Sequence, residues 1–159
     1  MYKISNNIEN IIGDILEVPT QMICHQVNCQ GVMGAGLAKQ VRTAYPQVYE
    51  LYKQYCEKQT EKANLLGRVQ FIKCPNNVII ANCFAQFGYG RGALQTSYAA
   101  FRLCMLKIKN FCKTNSINCV SIPYKMGCGL AGGNWEIISK IIAEIFDGEN
   151  IKIQIVRRI

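Results

Sequence analysis

Apolar and polar positions along the chain follow two rhythms. Short β-branched runs alternate with longer segments of helical period, which predicts an α/β sandwich rather than an all-α or all-β fold. Strands are expected at Met22 to Asn28, Val69 to Lys73, Val78 to Gln86, Ile117 to Tyr124 and Ile151 to Val156, with a weaker one near Tyr2 to Ser5. From Ala35 to Tyr52 the apolar positions Leu37, Ala38, Val41, Tyr45, Val48 and Leu51 recur mostly at steps of three or four, the spacing of one helical face. Pro46 lacks a backbone donor and clashes with the preceding turn, so two helices should share that stretch. Leu94, Tyr98, Phe101, Met105, Ile108 and Phe111 predict a helix over Leu94 to Cys112 that packs on the sheet. A further helix, Trp135 to Ile145, has Ile137, Ile138, Ile141, Ile142 and Ile145 on its apolar side and Asn134 placed to cap it.

Composition narrows the class. The 159 residues are half apolar, enough for one domain, 1–159, with its own core. No stretch approaches the roughly 20 apolar residues of a membrane span, and the N-terminal residues lack the apolar segment of a signal peptide. A soluble, cytoplasmic monomer with no membrane partner is the expectation. The nine cysteines, at 24, 29, 56, 74, 83, 104, 112, 119 and 128, include no C-x-x-C pair, and His25 is the only histidine. Neither a metal nor a cofactor is expected from that ligand set, and the thiols read as small core hydrophobes in a reducing compartment. The net charge of +8 favours anionic partners. Its basic residues are scattered, which fits a solvated basic surface; Tyr89, Arg91, Arg157 and Arg158 as stacking groups would instead fit a nucleic-acid module.

Glycines concentrate in three loops that follow predicted strands, Gly31 to Gly36, Gly88 to Gly92 and Gly127 to Gly133, where open α/β sheets hold their ligands. A glycine loop running into a helix start offers close backbone approach and unpaired N–H donors, which suits phosphate. Two such loops, around Ala35 and around Leu130, would clamp a diphosphate if they share a cleft. Neither matches the P-loop or the full G-x-G-x-x-G spacing, and any single glycine reads equally well as a tight turn.

Gly13-Asp14-Ile15, then Val27-Asn28-Cys29 through Gly36-Leu37-Ala38, then Met126-Gly127-Cys128-Gly129-Leu130 stand in that order. Together they resemble the macrodomain family over essentially the whole chain, and most of all its branch containing the yeast ADP-ribose-1″-phosphate phosphatase, the terminal ADP-ribose glycohydrolase and DarG. The resemblance implies a three-layer α/β/α sandwich with a mixed, about six-stranded central sheet. It implies ADP-ribose or a derivative as ligand, with ADP-ribosylated protein or nucleic acid as wider partners. The activity it implies is metal-independent hydrolysis of a substituent on the distal ribose, with a non-catalytic binder as the alternative. Gly13, Asp14 and Ile15 would hold the adenine edge and Asn28 the distal ribose. Gly34, Ala35 and Gly36, with Met126, Gly127, Cys128, Gly129, Leu130 and Ala131, would surround the diphosphate and distal ribose.

The branch's nucleophilic lysine is absent: Gln86 or Phe87 stands in its place, and Ala131 stands where the glycohydrolase has an acid. Neither replacement can take part in a Schiff-base route. The remaining catalytic candidates are His25, Asn28 and Gln30. An ordinary histidine pKa near 6.5 suits proton transfer, while a histidine inside an apolar strand also reads as a hydrogen-bonded core residue. Asn82 would help Gln30 orient water, Lys125 would neutralise phosphate, and Tyr89 and Arg91 would close over the ligand.

Overall fold

The computed structural model describes residues 6–90 and 93–158. Six strands form one sheet: β1 (Ile8–Ile12), β2 (Met22–Val27), β3 (Val69–Lys73), β4 (Ile79–Phe84), β5 (Cys119–Pro123) and β6 (Lys152–Arg157), in the order β1-β6-β5-β2-β4-β3. All neighbours pair in parallel except β3, which runs antiparallel to β4 at one edge. The helices are α1 (Gly36–Ala44), α2 (Pro46–Glu57), α3 (Tyr98–Thr114) and α4 (Trp135–Phe146).

Strand alternation assigns the two faces. Met22 and Cys24 of β2, Ala81 and Cys83 of β4, and Ile153 and Ile155 of β6 pack with Phe101, Met105 and Ile108 of α3 and Ile138, Ile141 and Ile142 of α4. Their neighbours Ile23, Val27, Ile80, Phe84 and Val156 face the other way, against Val41 of α1 and Val48, Tyr52 and Cys56 of α2. The result is the expected three-layer sandwich. Because β2 leads to α1 on one face while its neighbour β5 leads to α4 on the opposite face, the chain parts at the carboxyl ends of these two strands. A crevice opens there, as it does wherever strand connections diverge in an open sheet.

Differences from expectation lie mainly at element ends. The expected strand at Tyr2 to Ser5 lies outside the described residues; the first strand observed is Ile8–Ile12, whose polar Glu9 and Asn10 mask its pattern. α2 continues beyond Tyr52 to Glu57, with Pro46 at its first turn, where a missing N–H does no harm. Leu94 is not part of α3: it is exposed, and the helix starts after Ser97, whose hydroxyl accepts from the Ala100 amide. Leu51 and Ile137, expected on buried faces, are also exposed. Among the described residues no helix is long and apolar enough to cross a membrane.

Asn134 caps α4 as expected, its Oδ1 accepting the Glu136 amide at 2.8 Å. Asn134→Ala leaves that donor unpaired and should cost about 1 kcal/mol, read as a fall of about 2–4 °C in the thermal midpoint.

Candidate functional site

The loops after β2 and β5 meet. One cavity of about 490 Å³ is lined by Gly34, Ala35 and Gly36 from the first loop and by Gly127, Gly129, Leu130 and Ala131 from the second, with Asn28, Gln86 and Tyr89 between them. A second cavity of about 380 Å³, lined by Gly13, Asp14 and Ile15, shares Leu37, Pro123, Tyr124 and Lys125 with the first. The two adjoin across these four residues, over the carboxyl ends of the strands.

The walls of this cleft are rich in free amides. No side chain caps α1, whose N-cap is Ala35, and the N–H groups of Gly36, Leu37 and Ala38 have no hydrogen-bond partner among the described residues. A first turn of this kind presents donors and a partial positive charge to an anion. Gly129, Leu130 and Ala131 likewise keep their N–H groups unpaired, while the Ala131 carbonyl is held by the amides of Gln95 and Thr96.

The floor is a neutral network. Gln26 Nε2 donates to Gln86 Oε1 (2.8 Å) and to Thr96 Oγ1 (2.9 Å). The Thr96 hydroxyl in turn donates to the Gly127 carbonyl at 2.7 Å, and Gln86 Nε2 donates to the Gly88 carbonyl at 2.8 Å. Gly127 has φ +74°, and a Cβ built on it would lie 2.6 Å from Gln26 Oε1. Only glycine fits there. The first loop is braced separately by Asn28, whose Oδ1 accepts from the Gln30 amide, the Val32 amide and the Tyr52 hydroxyl, while its Nδ2 donates to the Val32 carbonyl.

His25 lies beneath the first cavity with almost no exposed surface. Its Nε2 meets Asn82 Oδ1 at 2.6 Å, Asn82 Nδ2 donates to Gln70 Oε1, and Gln70 Nε2 donates to the Leu51 carbonyl. Since Asn82 turns its Nδ2 to Gln70 and its acceptor Oδ1 to His25, Nε2 carries the imidazole proton and Nδ1 is left as an unpaired lone pair. Burial lowers the His25 pKa to about 4, the Asn82 hydrogen bond offsetting only part of the shift. The imidazole is therefore neutral near pH 7 and a weak base.

The structure thus brings His25, Asn28, Gly34, Ala35, Gly36, Met126, Gly127, Gly129, Leu130 and Ala131 to one cavity and Gly13, Asp14 and Ile15 to the adjoining one. It does not bring Gln30 or Cys128 to either. Gln30 reaches sideways to the Phe87 carbonyl, and Cys128 turns toward the Met126 carbonyl and the core, where burial pushes its thiol up. Asn82, expected to orient water, is sealed in the sheet between the His25 imidazole and the Gln70 amide. Asp14 Oδ1 accepts the Leu16 amide at 2.9 Å, leaving Oδ2 available. Arg91 and Gly92 lie outside the described residues. Gln26 and Thr96 went unforeseen. Gln26 carried a signal, an amide at an inward position of a strand between Cys24 and Pro-free apolar neighbours; Thr96 carried none. Among the described residues no three His, Cys, Asp or Glu side chains converge in a metal-binding arrangement.

Two substitutions at the second loop should part company. Gly127→Ala forces a positive φ on a side chain that also collides with Gln26, and about 2 kcal/mol or more of stability should be lost. Gly129→Ala, whose added Cβ meets nothing within 4 Å, should change the urea midpoint little. His25 predicts a pH dependence. Its folded pKa of about 4 lies below the unfolded 6.5, so the unfolded chain takes up the proton first. The contribution is complete above about pH 6.5 and is lost as pH falls toward 4, worth roughly 3 kcal/mol. His25→Gln should flatten the stability-against-pH curve across that window in urea titrations.

The chain has recognisable relatives. The family model described as Macro domain matches residues 24–142. A 17.5 kDa protein of Enterobacteria phage T4 is 29% identical over 139 residues, covering 85% of this chain and 87% of that protein. The ADP-ribose glycohydrolase of Homo sapiens is 26% identical over 151 residues, 94% of this chain and 91% of that protein. A solved structure from Bacteroides thetaiotaomicron, 30% identical, superposes with a TM-score of 0.83 over 96% of this chain and 99% of its own. With a family match across most of its length and this sandwich beneath the cleft, the chain belongs to the macrodomain family.

Proposed function

We propose that the cleft binds ADP-ribose or a close derivative, with adenine at Asp14 and Ile15 and the diphosphate and distal ribose between the two glycine loops. The observation that carries this reading is the pairing of the two cavities. Residues 36–38 and 129–131, whose amides are unpaired among the described residues, line a cavity that includes no carboxylate, and that cavity adjoins one where Asp14 supplies an acceptor. Donors without acids suit a diphosphate, and a carboxylate oxygen beside a free Ile15 N–H suits the donor and acceptor of an adenine edge. Asn28 retains one amide hydrogen for a ribose hydroxyl. The similarity to a glycohydrolase named for ADP-ribose supports the same ligand.

Recognition is what this geometry serves best. Beyond the end of β4 the first cavity holds Gln86, which is no nucleophile, and its one imidazole is a weak base. A second reading, hydrolysis of a distal-ribose substituent, is favoured by one observation: His25 Nδ1 and Gln26 Oε1 are buried, unpaired acceptors beneath the cavity. Either atom would accept a hydrogen bond from a substrate-side donor only if the packing over it opened.

Calorimetry with ADP-ribose should give saturable binding stronger than with AMP or NAD, and Asp14→Ala should weaken it about tenfold, or 1.4 kcal/mol. Incubation with ADP-ribose-1″-phosphate, ADP-ribosylated DNA and ADP-ribosylated protein should leave each intact by chromatography. Product that disappears in His25→Ala, with ADP-ribose affinity retained, would establish the hydrolytic reading instead.

A further inference from the structure

The second cavity carries more positive charge than adenine and its ribose require. Lys125, Arg157 and Arg158 line it, with Gln40 as a neutral amide and Asp14 as the single acid. Lys125 also borders the first cavity and is accounted for by the diphosphate; the two arginines are not. None of these cations forms an ion pair among the described residues, whose salt bridges lie elsewhere.

The charges are nonetheless held close together. The Arg157 guanidinium stands 4.9 Å from the centre of the Tyr124 ring, and Lys125 Nζ stands 5.6 Å from the same ring. The backbone beneath them is fixed from both sides: the Gly13 amide donates to the Arg157 carbonyl at 3.0 Å and the Tyr124 amide to the Val156 carbonyl at 2.9 Å. Arg157 is the last residue of β6 and Arg158 follows it directly, and both line the cavity. Three cations against the single carboxylate of Asp14 leave an excess of positive charge that favours a multivalent anion.

Resting on the ADP-ribose reading, we propose that this cavity takes an adenosine half bearing an extra phosphate monoester on its ribose, beyond the 5′-diphosphate. A phosphate monoester carries close to two negative charges at neutral pH and accepts the two-pronged hydrogen bonding that a guanidinium offers. A neutral ribose hydroxyl would leave Arg158 with no partner of matching charge.

Adenosine 2′,5′-bisphosphate and adenosine 3′,5′-bisphosphate, titrated against AMP by calorimetry at low and at moderate salt, test this. One bisphosphate should bind about tenfold more tightly than AMP at low salt, and which one does so identifies the ribose position. The preference should shrink as salt rises, because these side chains are exposed. Arg158→Gln should abolish the ratio between bisphosphate and AMP. The proposal is overturned if neither bisphosphate exceeds AMP, or if the ratio survives in Arg158→Gln, as stacking of Arg158 on adenine would give. ADP-ribose titrated in parallel separates the two levels: binding of ADP-ribose without a bisphosphate preference overturns only the extra phosphate, whereas absence of ADP-ribose binding overturns the reading beneath it.

Discussion

The Gly127 carbonyl, held by the Thr96 hydroxyl and the Gly133 amide, is the point on which the cleft depends. Thr96 is itself held by Gln26 of β2, and Gln26 grips Gln86 beyond β4. One chain of hydrogen bonds therefore fixes the ends of two strands and the loops that follow β4 and β5. The arrangement tolerates no Cβ at Gly127, where Gln26 is in the way, or at Gly133, where a built Cβ would sit 2.5 Å from the Gly127 carbonyl oxygen. Glycine is needed in this loop for close packing beneath it as much as for approach of a ligand above it.

The same network explains why Gln86 suits its position. An amide both donates and accepts, and Gln86 does both, taking a hydrogen from Gln26 and giving one to the Gly88 carbonyl. A lysine has three donors and no acceptor. Placed here it would face the Gln26 amide hydrogens and bring a desolvated charge into a floor with no carboxylate among the cavity's lining residues. Gln86 is thus integrated into a floor built for neutrality, and the shift of His25 toward a weak base follows from the same exclusion of charge. In both cases the polar groups serve the shape of the cleft more directly than they serve proton transfer.

The fold was legible where the pattern is strong and local. Strand alternation in β2, β4 and β6 and the helical spacing of α4 locate core residues because burial on one face leaves a period in the sequence. β1 escaped because it lies at an edge beside β6 alone, with Glu9 and Asn10 exposed on its two faces, and Leu94 misled because it extends a helical spacing that Ser97 interrupts. The cleft was legible through its glycines and Asp14, whose chemistry is carried by residue type. Gln30 and Cys128 could not be placed by spacing alone: each sits among residues that line the cavity, yet a loop turns them toward Phe87 and Met126 respectively. Thr96 and Arg158 are distant in sequence from every loop they serve, and only the fold unites them.

Charge along the cleft runs from a neutral floor to a cationic mouth, and the order has a physical reason. Charge buried under the cavity would be desolvated at a cost of several kcal/mol, whereas Lys125, Arg157 and Arg158 remain in contact with water and attract an anion over a Debye length without that penalty. Amide dipoles then take over at close range, since the first turn of α1 and the 129–131 segment are already ordered and need no reorganisation to meet phosphate oxygens. A cleft built this way draws anionic nucleotides by its rim and sorts them by its walls. On the proposed ADP-ribose reading, selectivity would rest with Asp14, whose free carboxylate oxygen would be left facing an acceptor by a ligand lacking a donor at the adenine position.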